Sequence, residues 1–144
     1  MNSELVHIPV SYDRPNSVFQ AIIENKFEIM CQNVSVDDML LYQTGSIILT
    51  AREVSFGKVI SNYDLFPELG SNSLRFIDPL AALCHARNFP EHSRRSPVAT
   101  MFFNKHGLLC CFIFSWDGNL RKFSSFSCGN LNNFWFKEYK FLVV

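Results

Sequence analysis

Met101-Phe102-Phe103-Asn104-Lys105-His106-Gly107-Leu108-Leu109-Cys110-Cys111-Phe112-Ile113-Phe114 spells out one β-hairpin together with its turn, and the other elements are placed relative to it. Aromatic and β-branched runs flank Asn104-Lys105-His106-Gly107, a short polar loop whose final glycine takes positive φ without steric cost. Strands are predicted over residues 97–104 and 108–116. Neither arm alternates between apolar and polar positions, so each is expected to be buried on two faces.

Working outward, Pro15 precedes Ser17-Val18-Phe19-Gln20, which has the form of a capping box, and Phe19, Ile22, Ile23, Phe27 and Met30 follow at helical spacing. A helix is predicted over 17–30. Ser35, with Asp37 and Asp38 in the first turn and a stop at Gly45, predicts a second short helix through Met39 to Gln43. Further strands are predicted over 46–53, 54–62, 73–78 and 80–86, with turn signals at Asn62-Tyr63-Asp64, Pro67 to Asn72 and Asp117-Gly118-Asn119. Ser124 to Asn130 is expected to be a loop. Asn132 is then placed as the cap of a last helix carrying Phe134, Trp135, Tyr139 and Leu142, although Phe, Trp, Tyr and Val suit a strand equally.

A chain of 144 residues suits one domain over 1–144, long enough to bury about two thirds of its unfolded surface. Hydrophobic residues make up 48% and aromatics 15% against 18% charged, which is more apolar surface than a monomer of this size hides; an oligomer interface or an apolar pocket is expected. Thirteen basic and thirteen acidic side chains cancel, so nucleic acid and membrane surfaces are discounted as partners. Met1 to Leu5 shows no secretory leader, and the apolar run Leu108 to Phe114 is too short to span a bilayer. The five cysteines are odd in number, and Cys110-Cys111 point to opposite strand faces, which disfavours a local disulfide and suits a reducing cytoplasm. No Cys-x-x-Cys spacing supports a structural zinc site.

Catalytic motifs are missing: there is no Gly-x-Ser-x-Gly, no His-Glu-x-x-His and no phosphate-cradling glycine loop, so no enzymatic reaction is assigned. His7 is placed in a frayed terminus, His85 on a mostly apolar strand, His92 in the Arg-rich loop Pro90 to Arg95, and His106 in the hairpin turn. The default for each is a solvated or hydrogen-bonded residue, because histidine ligates only where its surroundings converge on a metal.

Met101-Phe102-Phe103-Asn104-x-x-Gly107 with its apolar return strand resembles the Phe-Phe-Asp/Asn-x-x-Gly segment of the bacterial haem-utilisation family of the HemS/ChuX/HutX type. Upstream, Gly45, Ile47-Ile48-Leu49-Thr50-Ala51-Arg52, Gly57 and Tyr63, then Leu74-Arg75-Phe76-Ile77 and Leu80-Ala81-Ala82-Leu83, follow in the family's order, so that the likeness runs from about Val36 to Phe114. The resemblance implies an α+β fold of antiparallel sheet with flanking N-terminal and C-terminal helices. It also implies a homodimer of single units, and haem binding for intracellular trafficking, storage or utilisation. Haem needs an axial donor, an apolar slot and cations for its propionates; Phe102 is expected to line the slot, and Arg52 and Arg75 to meet the propionates. The positions matching the family's ligating histidines hold Arg52 and Leu74, neither of which can ligate iron. The axial metal ligand is therefore expected at His85, with His106 or His92 as alternatives. A non-catalytic dimeric interaction module on the same fold is the competing expectation.

Overall fold

The computed structural model describes residues 1–33, 35–128 and 134–144. In chain order its elements are β1 (Asn2–Ser11), α1 (Ser17–Asn25), β2 (Ile29–Gln32), a 3-10 turn (Val36–Asp38), β3 (Ser46–Ser55), β4 (Ile60–Ser61), α2 (Asn62–Ser71), α3 (Pro79–Asn88), α4 (His92–Arg95), β5 (Val98–Phe103), β6 (Leu109–Asp117), β7 (Leu120–Ser127), β8 (Phe134–Trp135) and β9 (Lys140–Val143).

The expected hairpin is present as β5 and β6, antiparallel from Val98 opposite Phe114 to Phe103 opposite Leu109. Its turn is built by Asn104, whose Oδ1 accepts from the backbone N–H groups of His106 and Leu108 at 2.9 and 3.0 Å. Gly107 sits at φ +76°, and a Cβ there would meet nothing within 4 Å. The penalty for a side chain is therefore backbone strain alone. Gly107→Val is expected to cost about 1–3 kcal/mol in denaturant melts, and His106→Asn close to nothing; a Gly107→Val midpoint equal to wild type would contradict the turn geometry.

Around this hairpin a seven-stranded sheet runs in the order β1-β3-β9-β5-β6-β7-β2, antiparallel except for β5 with β9 and β2 with β7. The fold class is α+β, as expected. Both faces of the hairpin are covered. On one, Phe112, Phe114 and Phe123 meet Val6, Ile8, Ile22 and the apolar side of α3. On the other, Met101, Cys111, Ile113 and Phe141 meet Leu65 and Leu69 of α2 and Trp135 of β8, which pairs with β4.

Several local expectations are corrected by pairing. The terminus holding His7 is not frayed: β1 pairs with β3 along its whole length, Asn2 opposite Ser55 through Ser11 opposite Ser46, and buries Val6, Ile8 and Val10 while Pro9 is tolerated on an edge. Residues 80–86 form a helix, not a strand. Asp78 Oδ1 caps it by accepting from Ala81 N at 2.8 Å and Pro79 occupies its first turn, but burial on nearly every side erased the helical period. Residues 73–78 form no strand: Ser73 is left-handed at φ 57° and the rest make one isolated bridge, Phe76 to Val143, while 54–61 contribute only the end of β3 and the two residues of β4. Asn62–Ser71 is α2 rather than turns, capped by Ser61 at its start and by Asn72 at its end. α1 stops at Asn25, because Lys26 turns left-handed at φ 55°, and its cap position is Asn16 with no side-chain cap bond, not the expected box. The second short helix is reduced to the 3-10 turn.

Ser124 to Ser127 are not loop but the end of β7, pairing with Ile113 to Cys110; ladder hydrogen bonds override the turn preference of serine. The expected C-terminal helix is replaced by β8 and β9, since Phe141, Leu142 and Val143 are buried in the centre of the sheet; its cap at Asn132 lies outside the described residues. All five cysteines are free thiols. No described helix is long and apolar enough to cross a membrane.

Candidate metal centre

β3 carries Glu53 on the same side as Ala51, toward α3, so a carboxylate is delivered into the apolar layer between sheet and helix. Its exposure is 3%. α3 brings His85, at 1% exposure, over the same point, and the turn after α3 folds back so that His92 of α4 reaches it from the solvent side, 35% exposed. Phe89 connects the two, its N–H donating to His85 O and its carbonyl accepting from His92 N. Its ring lies 5.3 Å from that of His85 and 5.0 Å from that of His92.

His92 Nδ1 donates to Glu53 Oε2 at 2.6 Å, whereas His85 Nε2 stands 3.7 Å from the same oxygen, an ion-pair distance and too long for a hydrogen bond. Glu53 Oε1 and His85 Nε2 are therefore buried polar atoms with no hydrogen-bond partner. Each such orphan costs about 1–3 kcal/mol, more where charge is involved, so a native core keeps few of them without cause. Burial pushes the Glu53 carboxyl up, but the His85 and His92 imidazoles outweigh it and hold the group below the ordinary carboxylate range. An anion is thus kept in the core beside two imidazoles. One ligand atom from each of the three residues lies within 4.8 Å of the others. Two imidazoles and a carboxylate at that spacing are a donor set for zinc and its neighbours, which take nitrogen and oxygen at about 2.0–2.2 Å.

The rim is held in place from outside. Trp116 Nε1 on β6 donates to Pro90 O at 2.9 Å and to Ser93 Oγ at 3.1 Å, and the Arg94 guanidinium lies 3.8 Å over the indole while its Nε donates to Glu91. Trp116→Phe keeps an aromatic ring, smaller than the indole, and removes the N–H donor that orients the turn bearing His92. It is expected to lower stability in chelator by about 1–3 kcal/mol, for the two lost hydrogen bonds, and to weaken zinc affinity about tenfold beyond that with binding still one to one, because the turn that carries His92 loses its anchor. Isothermal titration beside a melt in EDTA separates these.

Of the residues expected to form a haem site, only His85 joins this cluster, and it does so from a helix. Arg52 faces the opposite side of β3 and donates to Ser3 Oγ at 3.2 Å. His106 is exposed in the hairpin turn, 3.5 Å from Asp38. Arg75 and Phe102 line a separate crevice. The five are not brought together, and His85 Nε2 is fully buried 3.7 Å from Glu53 Oε2, with no room for a macrocycle at its lone pair; these residues do not fit a haem. Sequence reasoning missed Glu53 altogether, and placed His92 only as an alternative donor. The available signal was a lone glutamate in the run Ile47 to Val54 at the parity of Leu49 and Ala51. Comparison of the chain with protein-family models, with curated proteins and with solved structures finds no match.

Proposed function

We propose that the protein binds one divalent transition-metal ion, zinc in the first instance, through Glu53, His85 and His92. The observation that carries this is the pair of orphaned buried atoms, Glu53 Oε1 and His85 Nε2, inside a three-donor cluster whose anion is kept ionised. Imidazole donors favour zinc, copper, nickel or iron over calcium and magnesium, which take oxygen ligands. His85 keeps the metal-ligand role expected of it, with a bare ion in place of a porphyrin. Three protein donors leave a coordination position for water or an exogenous ligand, the arrangement of an open site. His92 gives up the proton it now donates to Glu53 when it ligates through Nδ1, so binding releases protons.

Equilibrium competition against a chromophoric chelator tests this. One equivalent of zinc is expected per chain, with magnesium and calcium inert at the same concentration, and His85→Asn and His92→Asn each weakening binding by at least about tenfold. Wild-type affinity in both variants would overturn the assignment.

A further inference from the structure

We infer that the groove between α1 and β2 is a docking site for an extended segment of a partner protein, added to the sheet as a further strand, with apolar side chains on one face and an acidic side chain at its C-terminal end. β2 ends the sheet and pairs with β7 alone, so its outer N–H and C=O groups are open. The opposite edge strand, β1, carries Pro9, which has no N–H to offer an added strand. β2 is Ile29-Met30-Cys31-Gln32 and holds neither of the usual edge guards, a proline or a charge. Beside this open edge lies a groove of about 470 Å³, none of whose lining residues belongs to the metal cluster.

Met30 and Gln32 pair with Phe123 and Ser125 and so face the α1 layer, where Phe19, Ile23 and Phe27 complete the wall. Phe19, Ile23 and Met30 are 49%, 52% and 45% exposed. A strand laid along β2 makes ladder hydrogen bonds while its alternate side chains enter the groove, so backbone and apolar wall ask for the same occupant. Lys26 is the one charged residue lining the groove. Its N–H donates to Ile23 O, and its ammonium has no partner among the described residues. Glu28, the nearest acid in sequence, is engaged, since its Oε2 accepts from Arg121 N at 2.7 Å. Lys26 precedes β2 by three residues and marks the N-terminal end of that strand. A segment added antiparallel, the better-bonded arrangement, ends there, and an acidic side chain at that end meets the unpaired cation.

The probes are the peptide acetyl-Leu-Thr-Val-Thr-Asp-amide and its Asn counterpart, with binding followed by calorimetry and by the methyl resonances of labelled methionine. Met30 lines this groove and Met101 the crevice on the other side of the sheet. The Asp peptide is expected to bind one to one, to shift the Met30 methyl and to leave that of Met101 in place, with or without zinc. The Asn peptide is expected to bind about threefold more weakly at low salt, the size of an exposed ion pair, and Lys26→Gln to remove that difference. N-methylation of the Leu and Val amides, or of the two Thr amides, separates strand addition from simple apolar contact. One of the two variants is expected to lose binding and the other to keep it, because alternate N–H groups of a strand point to opposite edges. Ile23→Asp, at an exposed position of α1, is expected to lose both peptides at an unchanged melting temperature. Equal effects of the two N-methylations, an Asp preference that survives Lys26→Gln, or shifts confined to Met101 would each overturn the proposal. So would a Met30 resonance that ignores the peptides and moves with protein concentration, the result if a second copy of the chain covers this edge.

Discussion

Zinc present at about a hundredfold excess over its dissociation constant is expected to stabilise the folded chain by about 2.7 kcal/mol, since an ion that binds only the native state adds to its stability by mass action. For a chain of this size that raises the melting temperature by roughly 5–11 °C. The increment is expected to vanish in Glu53→Gln, which keeps the volume of the side chain and removes its charge, and to survive in Cys31→Ser, since Cys31 is the exposed thiol and the obvious rival ligand. It is also expected to shrink as the medium is acidified, because imidazole and carboxylate must be deprotonated to hold the ion. Melts in EDTA give the metal-free baseline. There the depressed carboxyl of Glu53 contributes stability that is complete above the ordinary carboxylate range and is lost as the pH falls through its lower native value, so Glu53→Gln flattens the acid limb of the wild-type stability profile. A zinc shift of equal size in Glu53→Gln would place the ion elsewhere.

Phe112→Ala is expected to destabilise the protein by about 3–5 kcal/mol, the cost of deleting a fully buried ring and leaving a cavity. The ring meets those of Phe102 and Phe123 edge-on, each at 4.9 Å between centroids, and so binds the two hairpins β5–β6 and β6–β7 to the layer of α1 and α3. Phe103→Ala, on the same hairpin but 61% exposed, is expected to stay within about 0.5 kcal/mol of wild type. The contrast tests register, because a slip of one residue would move each ring to the opposite face of the sheet. Denaturant midpoints that fall equally in both variants would contradict the pairing of Phe103 with Leu109.

The chemistry of short segments was legible in the chain itself. Asn104 to Gly107 carries its whole turn in four residues, an amide that accepts two backbone N–H groups and a glycine at positive φ, and the two strands of the hairpin were placed from it, though not their register. The start of β3 was legible at Gly45, as was the burial of the hairpin on both faces, and α1 begins at Ser17 as expected although the box read there does not cap it. Asp78-Pro79 is a helix-start signal that the expected strand over 80–86 passed over, because Leu80 to Ala86 is apolar nearly throughout, and without a polar face its period does not separate helix from strand.

What tertiary structure alone decided is everything that depends on strands far apart in the chain. Lys140 to Val143 is a strand because it slots between β3 and β5, and Ser124 to Ser127 because β6 offers its edge. The candidate metal cluster belongs to this second group. Glu53, His85 and His92 share no motif spacing, and each alone has the look of a surface or structural residue. They converge because the β1–β3 pair sets Glu53 facing α3, and the turn at Phe89 folds His92 back over the end of that helix. A carboxylate in an apolar strand is costly until something gathers around it, and the gathering is done by long-range packing, which no local pattern encodes.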